Sequence, residues 1–417
     1  MTPASPLQFA LIHCATWGAA ACLGVAAAPV AAADFVTSDR TVANGNPMNA
    51  SYSGQPILVG ASGVFDGNVT RVSDVRVDIV APAQLNFSDA TGGSLSAYSN
   101  SVVRMTGGNA GSPSSFANAG RFSAYDTSQL NISGGSLSSV TLNGAAAGVA
   151  GARAIVSGGT LQSSAGIVAY VTNGTLAVSG GLISATGGNF QPGIQGDGGS
   201  RISVSGGTVQ STSSAAAYIH TDSAFTMTGG TLTGGGGGGA AWGLRLENTS
   251  VTARVSGGTI NGGVRANSAG AANVQQAVLG GSVTVNGGVF AYGTSAVDVT
   301  GGSYTRFAGA DASFFALGDN NINFYGTGLA LSAPTVGSVF ETNNYTGNFY
   351  TFIGGTFSDG QSAVGLRLFD ATSVAGNALR GGFALTSVSA VPEPSTWLLM
   401  ALALPAIGVA VRRRRKL

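Results

Sequence analysis

One short stretch indicates the fold: residues 202–209 read Ile-Ser-Val-Ser-Gly-Gly-Thr-Val, and this pattern recurs along the 417-residue chain. Before the glycine pair, apolar and polar side chains alternate with the period of two that a half-buried β-strand shows. The next apolar residue, Val209, follows Val204 at an odd offset, so the inward-facing positions change parity at the glycines. Glycine tolerates the positive φ that a corner needs. Each Gly-Gly pair therefore predicts a corner between two short strands.

The glycine pairs recur at a regular distance. Twelve of them begin at residues 92, 107, 134, 158, 180, 206, 229, 257, 287, 301, 354 and 381, and eight of the eleven spacings lie between 22 and 30 residues. A repeat of this length indicates a solenoid, in which neighbouring turns bury each other's apolar faces. We expect roughly twelve turns. The 14- and 15-residue spacings are interpreted as turns that carry the motif on two faces.

The predicted fold class is all-β, because no helical period of useful length runs through residues 34–390. We expect a right-handed parallel β-helix, a solenoid with about 24 residues and two or three short strands per turn. Ser, Thr or Asn precedes the glycine pair in ten of the twelve repeats, so stacked turns should align like side chains in a row. Residues 83–304 are predicted to form this solenoid.

Both flanks of the repeat region are predicted to be caps. Residues 34–82 contain no Gly-Gly pair and would cover the first open edge as an N-terminal cap. Residues 305–390 are interpreted as the final turns followed by an aromatic cap, since residues 304–383 hold 14 of the 32 aromatic side chains. We expect this cap to be denser and partly antiparallel, because a covered edge prevents end-to-end aggregation.

Charge and cysteine content exclude several classes of partner. Residues 34–391 contain 13 arginines, no lysine and 16 acidic residues, a net charge of −3, so no nucleic-acid partner is expected. Both cysteines, Cys14 and Cys22, precede residue 34. The remainder of the chain therefore has no thiol, no disulfide and no cysteine metal site. No cofactor and no metal are predicted.

Few ionisable side chains are candidates for catalysis. Asp74 and Asp78 share a predicted strand face, but Arg76 between them favours a surface ion-pair row over a catalytic pair. His220 is the only histidine after residue 33, and it could share a strand face with Asp222. No serine near His220 lies in a sequence motif that would identify it as a nucleophile. The sequence therefore predicts no catalytic residue here.

Two further motifs are interpreted as turns. Asp319-Asn320-Asn321 is more typical of a turn than of a calcium site, and Gly196-Asp197-Gly198-Gly199 is interpreted in the same way. Calcium-binding nonapeptide repeats require Asp at a fixed position after the glycines, which is absent from these repeats. An acid trio that includes Asp66, converging with an arginine around a cleft, would instead indicate an enzyme.

The N-terminus has the features of a secretory signal. Residues 7–30 are apolar and rich in alanine, and Ala31 and Ala33 form an A-x-A cleavage pattern directly before Asp34. No Lys or Arg precedes the apolar stretch, which is unusual for a signal. We predict that residues 1–33 are a signal peptide.

The C-terminus has three consecutive parts with different roles at a membrane. They are the kink Val391-Pro392-Glu393-Pro394, an apolar run that begins Trp397-Leu398-Leu399 and ends at Val411, and the basic cluster Arg412-Arg413-Arg414-Arg415-Lys416. The prolines keep the chain extended, and the basic cluster stays cytoplasmic by the positive-inside rule. Residues 397–411 are predicted as a short transmembrane helix, below the ~20 residues that span a bilayer.

This order of kink, apolar run and arginines resembles the PEP-CTERM sorting signal, over residues 391–417. The resemblance implies that a membrane transpeptidase-like protease, exosortase, recognises the motif and cleaves near Pro394. It further implies export, a precursor anchored in the inner membrane, and delivery to the surface or extracellular matrix of a Gram-negative-type bacterium. Members of this group are often linked to exopolysaccharide and biofilm, which makes exopolysaccharide a second expected partner.

Two classes of function remain open from the sequence. The first is a non-enzymatic surface or matrix protein, structural or adhesive, whose hydroxyl-rich solenoid faces polysaccharide or neighbouring cells. The second is a polysaccharide-active enzyme of the pectate-lyase-like kind on a β-helix scaffold. The scarcity of ionisable groups favours the first class. An enzyme should bring three or more acidic or basic side chains together in one groove.

Overall fold

The structure is a computed structural model. It describes residues 34–36, 40–41, 57–59, 65–66, 69–73, 76–79, 84–85, 94–98, 100–110, 121–144, 151–188, 190–236, 242–248, 250–268, 274–307, 310–318, 321–340, 344–374 and 383–388. Among these residues the regular elements are all β-strands. None of the described residues lies in a helix long and apolar enough to cross a membrane. The predicted signal peptide and the predicted transmembrane helix lie outside the described residues.

The strands stack as three faces of a parallel β-solenoid, and each turn visits the faces in the same order. The first face precedes the glycine corner and consists of Asp34–Val36, Ile57–Val59, Arg76–Ile79, the N-terminal parts of Val102–Ala110 and Gln129–Leu137, Arg153–Val156, Thr175–Val178, Arg201–Val204, Ala224–Met227, the N-terminal parts of Thr252–Asn261 and Val274–Asn286, Ser295–Val299, Asn321–Leu331 and Phe383–Ser387.

The second face follows the glycine corner and the third face closes each turn. The second face consists of Gln84–Leu85, Thr160–Ser163, Leu182–Ala185, Thr208–Ser211, Thr231–Thr233, Ser303–Tyr304 and the C-terminal parts of the four long strands that pass through the corner. The third face consists of Val69–Ser73, Ser94–Tyr98, Arg121–Asp126, Ser139–Gly144, Ala169–Thr172, Ile194–Asp197, Ala217–Ile219, Leu244–Glu247, Val264–Ser268, Val289–Gly293, Phe314–Gly318 and Arg367–Val374.

The core is a set of apolar rows that run along the stack, because the parallel register places equivalent residues of successive turns on each other. One row on the first face is Leu130, Ala154, Leu176, Ile202, Phe225, Ala253, Ala277, Val297 and Ile322, all of them buried. The alternation predicted from the sequence is therefore confirmed. Each turn contributes only a few side chains to these rows, so it depends on its neighbours for burial.

The glycine corner joins the first and second faces, and its two glycines are needed for different reasons. A Cβ added at Gly206 would fall on the carbonyl oxygen of Ser179 in the preceding turn, so the stacking distance itself excludes a side chain. Gly207 has φ of 74°, a region that L-residues with a Cβ avoid. Across the pair, the inward-facing positions change from even to odd offsets. One glycine, Gly206, is required by the close stacking, and the other, Gly207, is required by its left-handed backbone.

Residues 129–318 form about eight turns, so the solenoid has fewer turns than the roughly twelve expected between Gly92 and Gly381. One reason is that the pair Gly287-Gly288 opens no new turn: it lies between the second and third faces and stacks on the equivalent pair, Gly262-Gly263. The corner of that turn lies instead at Gly280-Gly281, where an extra residue shifts the register. The interpretation of the 14-residue spacing as a motif on two faces is therefore confirmed for this pair, since Gly287-Gly288 follows a second-face strand and Gly301-Gly302 follows a first-face strand. At ~4.8 Å per turn, eight turns extend about 40 Å.

The parallel stack gives way to antiparallel strands near the C-terminal end of the described residues. Asn344–Phe357 pairs antiparallel with Asn321–Leu331, Thr335–Phe340 and Arg367–Val374. Pairing of this kind agrees with the partly antiparallel cap expected from the aromatic content. The exact domain boundaries at residues 82 and 305 stay predictions. At the other end, Ile57–Val59 and Arg76–Ile79 continue the parallel first face.

Candidate functional site

Most residues of the predicted sorting and cleavage sites lie outside the described residues. These are Ala31, Ala33, Val391, Pro392, Glu393, Pro394, Trp397, Leu398, Leu399, Val411, Arg412, Arg413, Arg414 and Arg415, together with Asp74, Asp319 and Asn320. Asp66, Arg76 and Asp78 lie on short strands whose side chains the structure does not describe. The predicted pairing of Asp74 with Asp78 therefore stays a prediction.

His220 lies at the corner between the third and first faces, next to an acid from the preceding turn. Its Nδ1 is 3.1 Å from Oδ1 of Asp197 and 2.6 Å from Oγ1 of Thr221. Its Nε2 is 2.9 Å from Nδ2 of Asn248, which comes from the following turn. Three successive turns thus meet at one imidazole.

The expected sharing of a strand face by His220 and Asp222 is wrong. The strand ends at Ile219, and Thr221 and Asp222 both have positive φ, 28° and 54°, so the chain turns before Asp222. Asp197 takes the predicted place of Asp222 because 23 residues, one turn of the solenoid, separate it from His220. Subtracting the repeat length from the position of His220 would have found this partner.

The geometry at His220 does not form a nucleophile relay. In such a relay the hydroxyl and the carboxylate contact opposite nitrogens of the imidazole. Here Asp197 and Thr221 both approach Nδ1, and the amide of Asn248 occupies Nε2. The cluster therefore ties three turns of a corner together. The predicted turn at residues 196–199 is confirmed, since Gly198 and Gly199 have φ of 55° and 82°.

A second polar cluster lies beside it on the outer side of the third face. Glu247 accepts a 2.7 Å hydrogen bond from the hydroxyl of Tyr218 and a 2.8 Å bond from Nε of Arg245. Burial alone would raise the pKa of the Glu247 carboxyl, but these two donors and the nearby positive charge lower it below its ordinary value. Burial and the Glu247 charge raise the pKa of Tyr218. Glu247 is therefore held as an ionised acceptor rather than prepared to donate a proton.

Aromatic side chains cover the outer side of the third face further along the stack. Phe290 and Phe315 are stacked with their ring centroids 4.1 Å apart, and Trp242 meets Phe290 edge-on at 4.8 Å. The guanidinium of Arg265 lies 4.6 Å from the ring centre of Tyr292. Because the two phenylalanines and Trp242 are fully buried, these contacts form a second apolar core outside the solenoid.

A cavity of about 230 Å³ opens at the other end of the same face, where the second face turns into the third. Its lining consists of Arg121, Ser138, Ser139, Thr141, Ser163, Ala165, Gly166, Ile167 and Tyr170. Thr141 and Tyr170 are register partners on adjacent strands of the third face, and Arg121 pairs with Ser139 in the same way. Sequence reasoning missed this cavity because its residues are spread over three turns.

No group of three or more acids and histidines that could hold a metal ion occurs in the described part of the chain. The convergence named as the mark of an enzyme is partly present, since Asp197, His220, Arg245 and Glu247 lie on neighbouring turns. These groups form two separate hydrogen-bonded sets. In the first, His220 contacts Asp197, and in the second, Arg245 donates to Glu247.

The fold defines the class of protein as a parallel β-solenoid with an all-β cap. Comparison with known families adds one finding: residues 390–415 match the PEP-CTERM protein-sorting motif. No curated protein and no solved structure matches the chain. The resemblance found in the sequence is therefore confirmed, and the motif indicates an exported protein, made as a membrane-anchored precursor and sorted by exosortase.

Proposed function

We propose that the chain is a non-enzymatic surface or matrix protein whose solenoid contacts extracellular polysaccharide. The observation that carries this proposal is the outer side of the second face. Its half-buried outward positions on successive turns are uncharged, and most carry hydroxyl or amide groups: Thr160, Gln162, Leu182, Thr208, Gln210, Thr231, Thr233, Thr259, Asn261, Thr284 and Asn286.

Hydrogen bonds between successive turns order this surface. Gln210 Nε2 donates to Ser184 Oγ at 2.9 Å, and Asn286 Nδ2 donates to Asn261 Oδ1 at 2.9 Å. Asn261 in turn donates to Thr233 Oγ1 at 3.2 Å. The result is a row of donors and acceptors repeated at about 4.8 Å, without ions that would need desolvation. Sugar hydroxyls require partners of this kind.

The test is co-sedimentation of the full-length chain with the extracellular polysaccharide of its own host. We expect binding that is weakened when a charge is placed on the second face by Thr208→Glu or Thr231→Glu. Thr226→Glu, on an exposed position of the first face, is the matched control and should bind as the wild type does. Binding unaffected by either second-face variant would contradict the proposal.

A polysaccharide-active enzyme is the second candidate. The observation in its favour is the meeting of Asp197 and His220 near Arg245 and Glu247 on the third face. The hydrogen bonds that these groups make to each other argue against a catalytic role, because they occupy the atoms that would have to act on a substrate. Incubation of the chain with the same polysaccharide should release no new reducing ends. Release that is abolished by His220→Gln would establish the enzyme instead.

A further inference from the structure

The cavity at the turn from the second to the third face has the features of a ligand subsite. Four serine or threonine residues and Tyr170 line it, together with one guanidinium, that of Arg121, and no lining residue is acidic. Arg121 is exposed and, within the part of the chain that the structure describes, makes no ion pair. Because no acidic residue lines the cavity, this arginine makes it locally positive.

Several hydroxyls around Arg121 are available to a ligand. The side-chain hydroxyls of Ser139, Thr141 and Tyr170 make no hydrogen bond to another described residue. Ser163 belongs to the wall, since its hydroxyl accepts a 3.3 Å hydrogen bond from the backbone N–H of Ala165 and so shapes the overhanging loop. Donors and acceptors that converge on one space without being paired to each other are typical of a polar ligand site.

Size and charge limit what this site can take. A volume of about 230 Å³ lies below the ~300 Å³ at which sites for drug-sized ligands begin, so it fits one ring rather than an extended chain. A single guanidinium matches one carboxylate, which it can hold through two parallel hydrogen bonds. The hydroxyls match the hydroxyls of a sugar ring, and the ring of Tyr170 offers an apolar surface to its C–H groups.

We infer that this cavity binds one carboxylate-bearing sugar unit, a uronate, of an acidic polysaccharide. Arg121 holds the carboxylate, Thr141 and Ser139 contact ring hydroxyls, and Tyr170 forms the floor. This inference rests on the proposed function and names the ligand class for it. It places the specific contact on the third face, next to the repetitive surface of the second.

The experiment measures binding of a four-unit oligoglucuronate to the full-length chain by saturation-transfer NMR and titration, with an uncharged glucose oligomer of the same length as the comparison. Arg121→Gln should weaken oligoglucuronate binding about tenfold, the effect expected for loss of a charge-assisted, two-bond contact. Arg201→Gln is the matched control, because Arg201 is likewise exposed but lies on the first face. It should bind as the wild type does.

A second variant separates loss of the binding site from loss of the fold. Tyr170→Ala should weaken binding without a change in the far-UV circular dichroism spectrum. Equal binding of both oligomers, or unchanged oligoglucuronate binding in Arg121→Gln, would overturn the uronate site.

The site and the proposed function can fail separately. If Arg121→Gln loses oligoglucuronate but still co-sediments with the host polysaccharide through the second face, the proposed function and the site both stand. If the wild-type chain binds oligoglucuronate but does not co-sediment with the host polysaccharide, the proposed function is refuted and the cavity result is unaffected.

Discussion

At the scale of single residues, the stack depends on what the corner glycines lack. The second glycine of the corner pair also has a positive φ, between 77° and 104°, in six other turns: Gly135, Gly159, Gly181, Gly230, Gly258 and Gly302. The first glycine of the pairs from Gly134 to Gly257 lies so close to the preceding turn that no Cβ fits. The sequence predicted the corner, because an odd apolar offset across two glycines is typical of one. It did not predict that stacking distance, rather than torsion, constrains the first glycine.

Gly207→Ala should therefore be strongly destabilising. The added Cβ would lie 2.7 Å from the carbonyl carbon of Gly180, and the left-handed backbone costs a further ~1–2 kcal/mol for an L-residue. We expect a loss of about 2 kcal/mol or more in the free energy of unfolding, measured by chemical denaturation. Gly188→Ala is the control, since no described atom lies within 4 Å of a Cβ there. Equal stability of the two variants would contradict this explanation of the corner.

Asp370 is the residue expected to make stability depend on pH. Burial raises its pKa from 3.8 to about 6, and its Oδ1 has no hydrogen-bond partner among the described residues. Because the folded state binds the proton more tightly than the unfolded chain, stability should fall as pH rises from about 4 to about 6. Above that range the folded state carries the full cost of the partly buried charge.

Asp370→Asn should remove this dependence. The wild type is expected to melt at a higher temperature at pH ~5 than at pH ~7, whereas the variant should melt at similar temperatures and exceed the wild type at the higher pH. Asp222→Asn, on an exposed turn, is the control and should keep the wild-type pH profile. A wild-type melting temperature that rises over this pH range would refute the role given to Asp370.

At the scale of elements, the turn between Phe357 and Gln361 attaches the antiparallel cap to the last glycine corner. Asp359 Oδ2 accepts a 2.8 Å hydrogen bond from the N–H of Gly302, and Ser358 Oγ donates to the carbonyl oxygen of Thr300 at 2.7 Å. The backbone N–H of Asp359 donates to the same carbonyl at 3.2 Å. Three hydrogen bonds thus join the cap to residues 300–302.

Asp359→Ala should loosen the cap without unfolding the solenoid. We expect a loss of about 1 kcal/mol, the net contribution of a typical hydrogen bond, because Asp359 is exposed and solvent weakens the additional contribution of its charge. Hydrogen exchange should then speed up in Asn344–Phe357 and stay unchanged in Arg201–Val204. Asp359→Asn keeps an acceptor oxygen and should fall between Asp359→Ala and the wild type. Faster exchange across all turns in Asp359→Ala would show that the cap and the stack are one cooperative unit.

Element pairings were predicted less well than the elements themselves. The sequence showed short strands and glycine corners, because these depend on local alternation and spacing. It did not show which faces the corner at residue 287 joins, because a glycine pair between the second and third faces looks the same in sequence as one between the first and second. It also paired His220 with Asp222 instead of Asp197, because contacts in a solenoid join residues one turn apart. The cavity at Arg121 was missed for the same reason.

At the scale of the whole molecule, sorting and the proposed binding depend on different parts of the chain. The sorting motif at residues 390–415 directs export and sorting, and the solenoid supplies the surface proposed to bind polysaccharide. The charge distribution agrees with this division, because the net positive charge of the full chain comes from the four arginines and the lysine of the tail. The proposed polysaccharide contact therefore requires export but does not require the tail afterwards.

The most direct test of sorting and display is mass spectrometry of the chain recovered from the surface of intact cells. We predict that the surface form lacks residues 397–417, and that deleting exosortase from the host leaves a full-length chain in the membrane fraction. A surface form that retains Trp397 to Leu417, in equal amount with and without exosortase, would contradict sorting by exosortase.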